Sequence, residues 1–223
     1  MRFVRPLYPL RKFYTGLTWR VPTVEKKIYL TFDDGPVPEI TPWVLDLLKK
    51  FDAKGTFFCV GENIEKHPEL YRQVIQGGHA VGNHTYNHLN GWRTDNKLYL
   101  ENILKCSEVM NSTSPPQMEG LLFRPPYGKI RKSQIKTLLR FDSHFPIPKS
   151  SIILWDVLSY DFDRTISREK CLKNVLQYSR EGSVVVFHDS IKAQRNLEYV
   201  LPKTLEVLGE QGFRFCNLIP DML

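Results

Sequence analysis

Short apolar runs alternate with helix-like stretches along most of this chain, and that alternation limits the available folds more than any other feature. The runs are Ile28 to Leu30, Thr56 to Val60, Ala80 to Gly82, Leu121 to Phe123, Ile152 to Trp155, Val184 to Phe187 and Phe213 to Cys216. Bounded by turn residues, such runs read as buried strands. Between them apolar residues recur at helical spacing, as in Leu70, Tyr71, Val74 and Ile75, or Leu201, Leu205 and Leu208. Thr41 before Pro42, and Thr94 before the stretch containing Leu100, look like helix caps. Seven strands alternating with about six helices predict βα units, a parallel sheet and closure into a distorted (β/α) barrel of the α/β class.

Length and charge narrow the reading. A chain of 223 residues suits one large domain, expected over residues 27–223. No apolar run is long enough for a transmembrane helix. Of a net charge of +7, most sits in residues 1–27, which hold seven Lys and Arg against Glu25. The remainder is near neutral, so nucleic acid is not an expected partner. Residues 1–26 are also rich in proline and aromatics, including Phe3, Pro6, Tyr8 and Trp19. They read as an arm packed on the domain, with contact to an anionic membrane surface as the alternative. They show neither the continuous apolar segment nor the cleavage site of a secretory signal, so a cytoplasmic or membrane-peripheral location is expected. Cys59, Cys106, Cys171 and Cys216 stand far apart and are expected to be free thiols, mostly buried.

Polar residues gather where the strands end. Asp33-Asp34 follow the first run and His84 the third, with His88 close behind. Arg124 and Tyr127 follow the fourth, Asp156 and Asp161 the fifth, His188-Asp189 the sixth. In a parallel βα barrel those ends share one face, where active sites are built. Two imidazoles four residues apart would meet on one helical turn and could bind one metal. A carboxylate from another strand end would complete a two-histidine, one-carboxylate set. Zinc is the default ion for such a hydrolytic site, with cobalt or another transition metal as substitutes. The zincin pattern would place Glu at position 85, where this chain has Thr85. The base must therefore come from elsewhere, and Asp33-Asp34 offers one carboxylate for the metal and one for a proton. A carboxylate such as Asp161 could hold one nitrogen of His188, leaving the other to act as an acid. A non-haem iron oxygenase could use Asp34, His84 and His88 as a facial triad, but such sites usually lie on antiparallel β folds.

Together these segments resemble the polysaccharide deacetylase family, the carbohydrate esterases with a NodB homology domain. The resemblance spans roughly residues 27–218. It rests on Thr31-Phe32-Asp33-Asp34-Gly35-Pro36, His84-Thr85-x-x-His88, Arg124-Pro125-Pro126-Tyr127-Gly128, Asp161 with an aromatic after it, and an apolar strand ending in His188-Asp189. It implies metal-dependent removal of acetyl groups from a carbohydrate. The expected substrate is the N-acetylglucosamine of a peptidoglycan- or chitin-type poly- or oligosaccharide. O-acetyl (xylan) esterase activity, or carbohydrate binding without catalysis, are the alternatives. By motif position Asp33 would be the base, Asp34, His84 and His88 the metal ligands, and His188 the acid. Arg124 would orient Asp33, Asp161 would tune His188, and the Tyr127 backbone N–H would help stabilise the oxyanion. Pro126, Tyr127 and Phe162 would face the sugar. Phe162 stands where the family commonly has Trp, and the Phe141–Lys149 segment looks like a long loop that could reshape the rim.

Overall fold

Parallel pairing joins every strand of the sheet, whose order is β5-β4-β3-β2-β1-β7-β6, with β8 also pairing with β1. The strands are β1 (Lys27–Asp33), β2 (Gly55–Cys59), β3 (Ala80–Asn83), β4 (Leu121–Phe123), β5 (Ser150–Ile152), β6 (Val157–Leu158), β7 (Val184–His188) and β8 (Arg214–Phe215). The helices are α1 (Thr41–Lys50), α2 (Gly61–Lys66), α3 (Pro68–Gln76), α4 (Asn96–Thr113), α5 (Lys132–Leu139), α6 (Arg168–Tyr178) and α7 (Gln194–Glu210). The structure, a computed structural model, describes residues 3–6, 14, 16–114, 121–139 and 150–219. The Phe141–Lys149 loop expected from the sequence lies outside them.

The sheet curls into a half-barrel, and one short segment shows how far. Ile153 N–H donates to Phe123 O on β4, while Asp156 N–H donates to Val184 O on β7. Three residue steps, at most roughly 11 Å of chain, therefore cross from one edge of the sheet to the other. Here the structure corrects the expectation of one strand over Ile152 to Trp155. The chain leaves β5 after Ile152 and begins β6 at Val157. Thr18 occupies the gap, its N–H donating to Ile152 O and its carbonyl accepting from Leu154 N–H.

Period two along β1 sorts its side chains. Ile28, Leu30 and Phe32 face the helices, in one cluster with Val44 and Leu48 of α1 and Leu197 and Leu201 of α7. Phe32 stacks between Phe57 and Phe187 at 4.8 and 6.0 Å. Tyr29, Thr31 and Asp33 then face the barrel interior. Tyr29 packs there with Phe58, Leu122 and Val184. The last inward position of β1, which pairs with β2, β7 and β8, thus falls to a carboxylate.

Helix caps differ from expectation. Thr41 lies inside the first turn of α1, behind Ile40, and its hydroxyl is used elsewhere. Asp95, not Thr94, caps α4 by accepting from Lys97 N–H. The short α2 carries too few apolar residues to announce itself. Cys59, Cys106 and Cys171 are buried, Cys216 is half-buried, and all four are free. In the arm, Leu17, Trp19 and Val21 are buried, and Val4 O accepts from Leu158 N–H. Arg5 pairs with Asp156, and Arg20 donates to Glu181 O, so two of the arm's cations point into the domain. No helix of the described residues is long and apolar enough to cross a membrane.

Candidate active site

The first functional group is the end of β1. Asp33 is buried and accepts a hydrogen bond from Arg124 Nη1 at 2.7 Å. Asp34 turns the other way because its backbone is left-handed, with φ 82°. That conformation costs about 1–3 kcal/mol in a residue with a Cβ and needs support from its surroundings. Asn63 Nδ2 donates to Asp34 O at 2.7 Å, Val60 N–H donates to Gly35 O, and Gly35 N–H donates to Asp189 Oδ1. Adjacent carboxylates are thereby separated: Asp33 meets a guanidinium, and Asp34 meets two imidazoles.

Those imidazoles do not share a helical turn, as the four-residue spacing suggested. Residues 84–88 form an irregular loop with left-handed backbone at Thr85 (φ 63°) and His88 (φ 55°). Buried amides shape it. Asn83 Oδ1 accepts from Thr85 N–H, and Asn102 Oδ1 accepts from both Tyr86 and Asn87. His84 Nδ1 lies 2.8 Å from Arg124 O, so Nδ1–H donates and Nε2 keeps its lone pair. That Nε2 is 3.8 Å from Asp34 Oδ1, and His88 Nε2 is 3.2 Å from the same oxygen. One donor atom from each of Asp34, His84 and His88 falls within 4.8 Å of the others. Burial pushes the His84 pKa down to about 4, which keeps the ring neutral, the form that ligates metal. Burial opposes the charge on Asp34, but the His88 hydrogen bond and the positive field of His188 hold its pKa well below the usual carboxylate range. The donor set fits a divalent transition metal.

Across the cleft stands His188, the inward residue at the end of β7. Its Nδ1 is 2.8 Å from Asp161 Oδ1, and its backbone N–H donates to Asp161 Oδ2 at 2.8 Å. Asp161 is fully buried and is also held by Ser159 Oγ and Phe162 N–H. Burial works against a charged imidazole here, but the Asp161 carboxylate, with Asp34 and Asp33 beyond it, outweighs that and raises the pKa to about 9.

These groups line one cleft of about 520 Å³, with Tyr127, Trp155, Phe162, Lys129 and Lys192 at its walls. Tyr127 (φ 61°) projects to solvent with its ring 4.6 Å from that of His88. Phe162 packs edge-on to His188 at 4.7 Å. Gly128 is forced, since a Cβ there would meet the Trp155 ring at 2.5 Å. Arg124 and Asp161 stand behind the wall, as does Pro126, which is buried and does not reach the cleft. Asp156 is not brought to the site. It lies near the start of β7, bonded to Arg5 and Ser183. Sequence reasoning assigned no part to Lys129, Lys192, Trp155 or Asp189. Asp189 is fully buried, and burial, with the nearby Asp34 charge, raises its pKa to about 8. Its only signal in the sequence was a carboxylate directly after His188.

A curled parallel sheet that brings an Asp–His–His cluster, a buried Asp–Arg pair and an Asp-backed histidine to one cleft is the scaffold of a metal-dependent hydrolase. The chain belongs to the polysaccharide deacetylase family, whose sequence profile matches residues 20–144. It is 34% identical to a peptidoglycan-N-acetylglucosamine deacetylase of Bacillus cereus over 203 residues, 91% of each chain. It is 30% identical to a chitooligosaccharide deacetylase of Bradyrhizobium over 184 residues, 82% of this chain and 78% of the relative. Among solved structures it resembles the Bc1960 peptidoglycan N-acetylglucosamine deacetylase in complex with 4-naphthalen-1-yl-N-oxidanyl-benzamide, with a TM-score of 0.82 and 32% identity over 97% of this chain and 96% of that one.

Proposed function

We propose that this chain removes the N-acetyl group from N-acetylglucosamine units of a glycan, with peptidoglycan strands as the preferred substrate. The observation that carries the reading is the opposition, across one cleft, of a carboxylate paired with Arg124 and a histidine paired with Asp161. Asp33, paired with Arg124, is placed to take a proton from the attacking water. His188, kept protonated by Asp161, is placed to give a proton to the departing amine nitrogen. The Tyr127 N–H would donate to the oxyanion of the tetrahedral intermediate. Asp34, His84 and His88 would hold a divalent ion, zinc by the chemistry of the donors, with cobalt as a working substitute. When bound, such an ion supplies Lewis acidity toward water and the acetyl carbonyl.

The cleft lining favours an acidic glycan over neutral chitin. Lys129 stands over the Trp92 ring and Lys192 over the Phe162 ring, at 5.5 Å in each case. Among the described residues neither ammonium is paired with an acid. They come from the loops after β4 and β7, on opposite sides of β1, so two unspent positive charges flank one opening. The carboxylates of the stem peptides, and of any lactyl group that carries no peptide, would be drawn to them. On the same reading residues 27–223 are the catalytic domain, and residues 1–26 are an arm whose contact with a membrane surface is secondary to its packing. Acetate release from peptidoglycan, chitin oligomers and acetylated xylan tests the proposal. Release from xylan alone would turn it into an O-acetyl esterase, and release from none would overturn it.

A further inference from the structure

We infer that Asp189 is a positioning residue for the turn that carries Asp34, acting on both of that residue's neighbours. The inference rests on Asp34 being a metal ligand. Asp189 leaves β7 directly after His188. Its backbone N–H donates to Asp33 O at 3.1 Å, and its Oδ1 accepts from Gly35 N–H at 3.1 Å. The residues before and after Asp34 are therefore held by one residue just past the end of the neighbouring strand. On the far side Thr41 Oγ1 donates to Asp189 Oδ2 at 2.5 Å and itself accepts from Val37 N–H at 2.8 Å. The carboxyl thus links β7, the β1 turn and the first turn of α1.

Three observations make this more than packing. The carboxyl is fully buried and makes no ion pair among the described residues, so an apolar side chain would be less costly there unless the hydrogen bonds were needed. Asp34 is held left-handed, and a turn in that state reverts unless its flanking peptides are tied. Gly35 is shaped around the same carboxyl, since a Cβ there would stand 2.0 Å from Asp189 Oδ2. The peptide of Gly35 can approach the carboxyl only because it carries no side chain. Loss of the acceptor would free the Gly35 N–H, let the turn relax and move the Asp34 carboxylate from the position it shares with His84 and His88.

The test measures dissociation constants of the full chain for zinc and cobalt(II), together with the visible absorption of the cobalt form and urea unfolding. Outer partners of metal ligands typically contribute 10–100-fold in metal affinity, so Asp189→Ala should weaken both metals by about that factor and change the cobalt spectrum, while Asp189→Asn, which keeps the acceptor, should stay within about threefold of wild type. A folded Asp189→Ala with unchanged affinity and spectrum would overturn the inference, as would an Asn variant no better than Ala. Should the Ala variant not fold, Thr41→Val, which removes only the hydroxyl on the far side of the carboxyl, is expected to weaken both metals. Unchanged affinity in that variant would count equally against it. A wild-type chain that binds neither metal would overturn the metal site and this inference together. Normal wild-type binding with an unaffected Asp189→Ala would overturn this inference alone.

Discussion

Asp161 holds His188 at two points, one carboxylate oxygen on the ring and the other on the backbone N–H, both at 2.8 Å. A ring fixed in this way cannot turn, and it presents Nε2 to the cleft. The raised value of about 9 means that the protonated form prevails at neutral pH and is lost as pH rises through that value. A divalent ion at Asp34 would offset the carboxylate field and move the transition down. The rate of acetate release should therefore hold at neutral pH and fall along an alkaline limb centred at or below about 9. Asp161→Asn should shift that limb to lower pH. A limb at the same pH in the variant would mean that His188 is not the group titrating.

Removing the His188 ring should slow turnover and leave the metal in place. A general acid is typically worth about 10²–10⁴ in rate, the fall expected for His188→Ala. Metal content measured after dialysis should match wild type, because the ring lies opposite the proposed ligands Asp34, His84 and His88. Loss of metal in this variant would place His188 among the ligands.

Arg124 is a fully buried cation whose guanidinium donates to Asp33, Thr31 Oγ1, Ile153 O and Leu154 O, with Phe58 packed over it at 4.1 Å. Its carbonyl also accepts from His84, so one residue organises the inner side of both Asp33 and a histidine. Arg124→Leu leaves Asp33 buried without a partner, and breaking a buried pair from one side costs about 3–5 kcal/mol. Urea unfolding should show a loss of that order. Arg124→Lys should recover little of it, since a single ammonium cannot span four acceptors in a plane.

The strands and the polar groups at their ends were legible because each depends on local pattern. A buried parallel strand needs a continuous apolar run, and its C-terminal end is marked where Asp33, His84, Arg124 or His188 interrupts that run. The break between β5 and β6 was not legible, because Ile152 to Trp155 is apolar whether or not the chain changes edges there. What redirects it is distant: Thr18 of the arm and Val184 of β7. The His84–His88 spacing pointed to a helix, yet the buried amides of Asn83 and Asn102 tie the segment into a loop, and the pair converges on Asp34 all the same. Asp189 was named in the sequence without a role, and the two lysines were not named at all, because a carboxylate or an ammonium in a loop is ordinary until its surroundings are known.

Metal removal separates the chemistry from the fold. None of the proposed ligands Asp34, His84 and His88 is needed to join strands, and the His84 bond to Arg124 O does not depend on an ion. Chelation should therefore abolish acetate release while circular dichroism stays unchanged. Zinc or cobalt should restore the rate, and full turnover by chain shown to be metal-free would remove the basis for the ligand assignment.

The adjacent carboxylates should fail in different ways. Asp33 faces Arg124 and Thr31, while Asp34 faces His84 and His88, so equal substitutions act on separate functions. Asp33→Asn keeps the size and a hydrogen-bonding oxygen but cannot accept a proton from water. Metal and glycan should still bind, and the rate should fall by about two or more orders of magnitude, as for other lost bases. Asp34→Asn removes the charge of the proposed carboxylate ligand. Metal affinity itself should fall, and excess zinc should restore part of the activity. Metal-to-protein ratios after dialysis, with acetate release measured with and without added zinc, distinguish the two. If Asp33→Asn is the variant that loses metal, the two roles are exchanged. If both retain metal and activity, the pair is only a turn, and the base and the ligand must be sought elsewhere in the cleft.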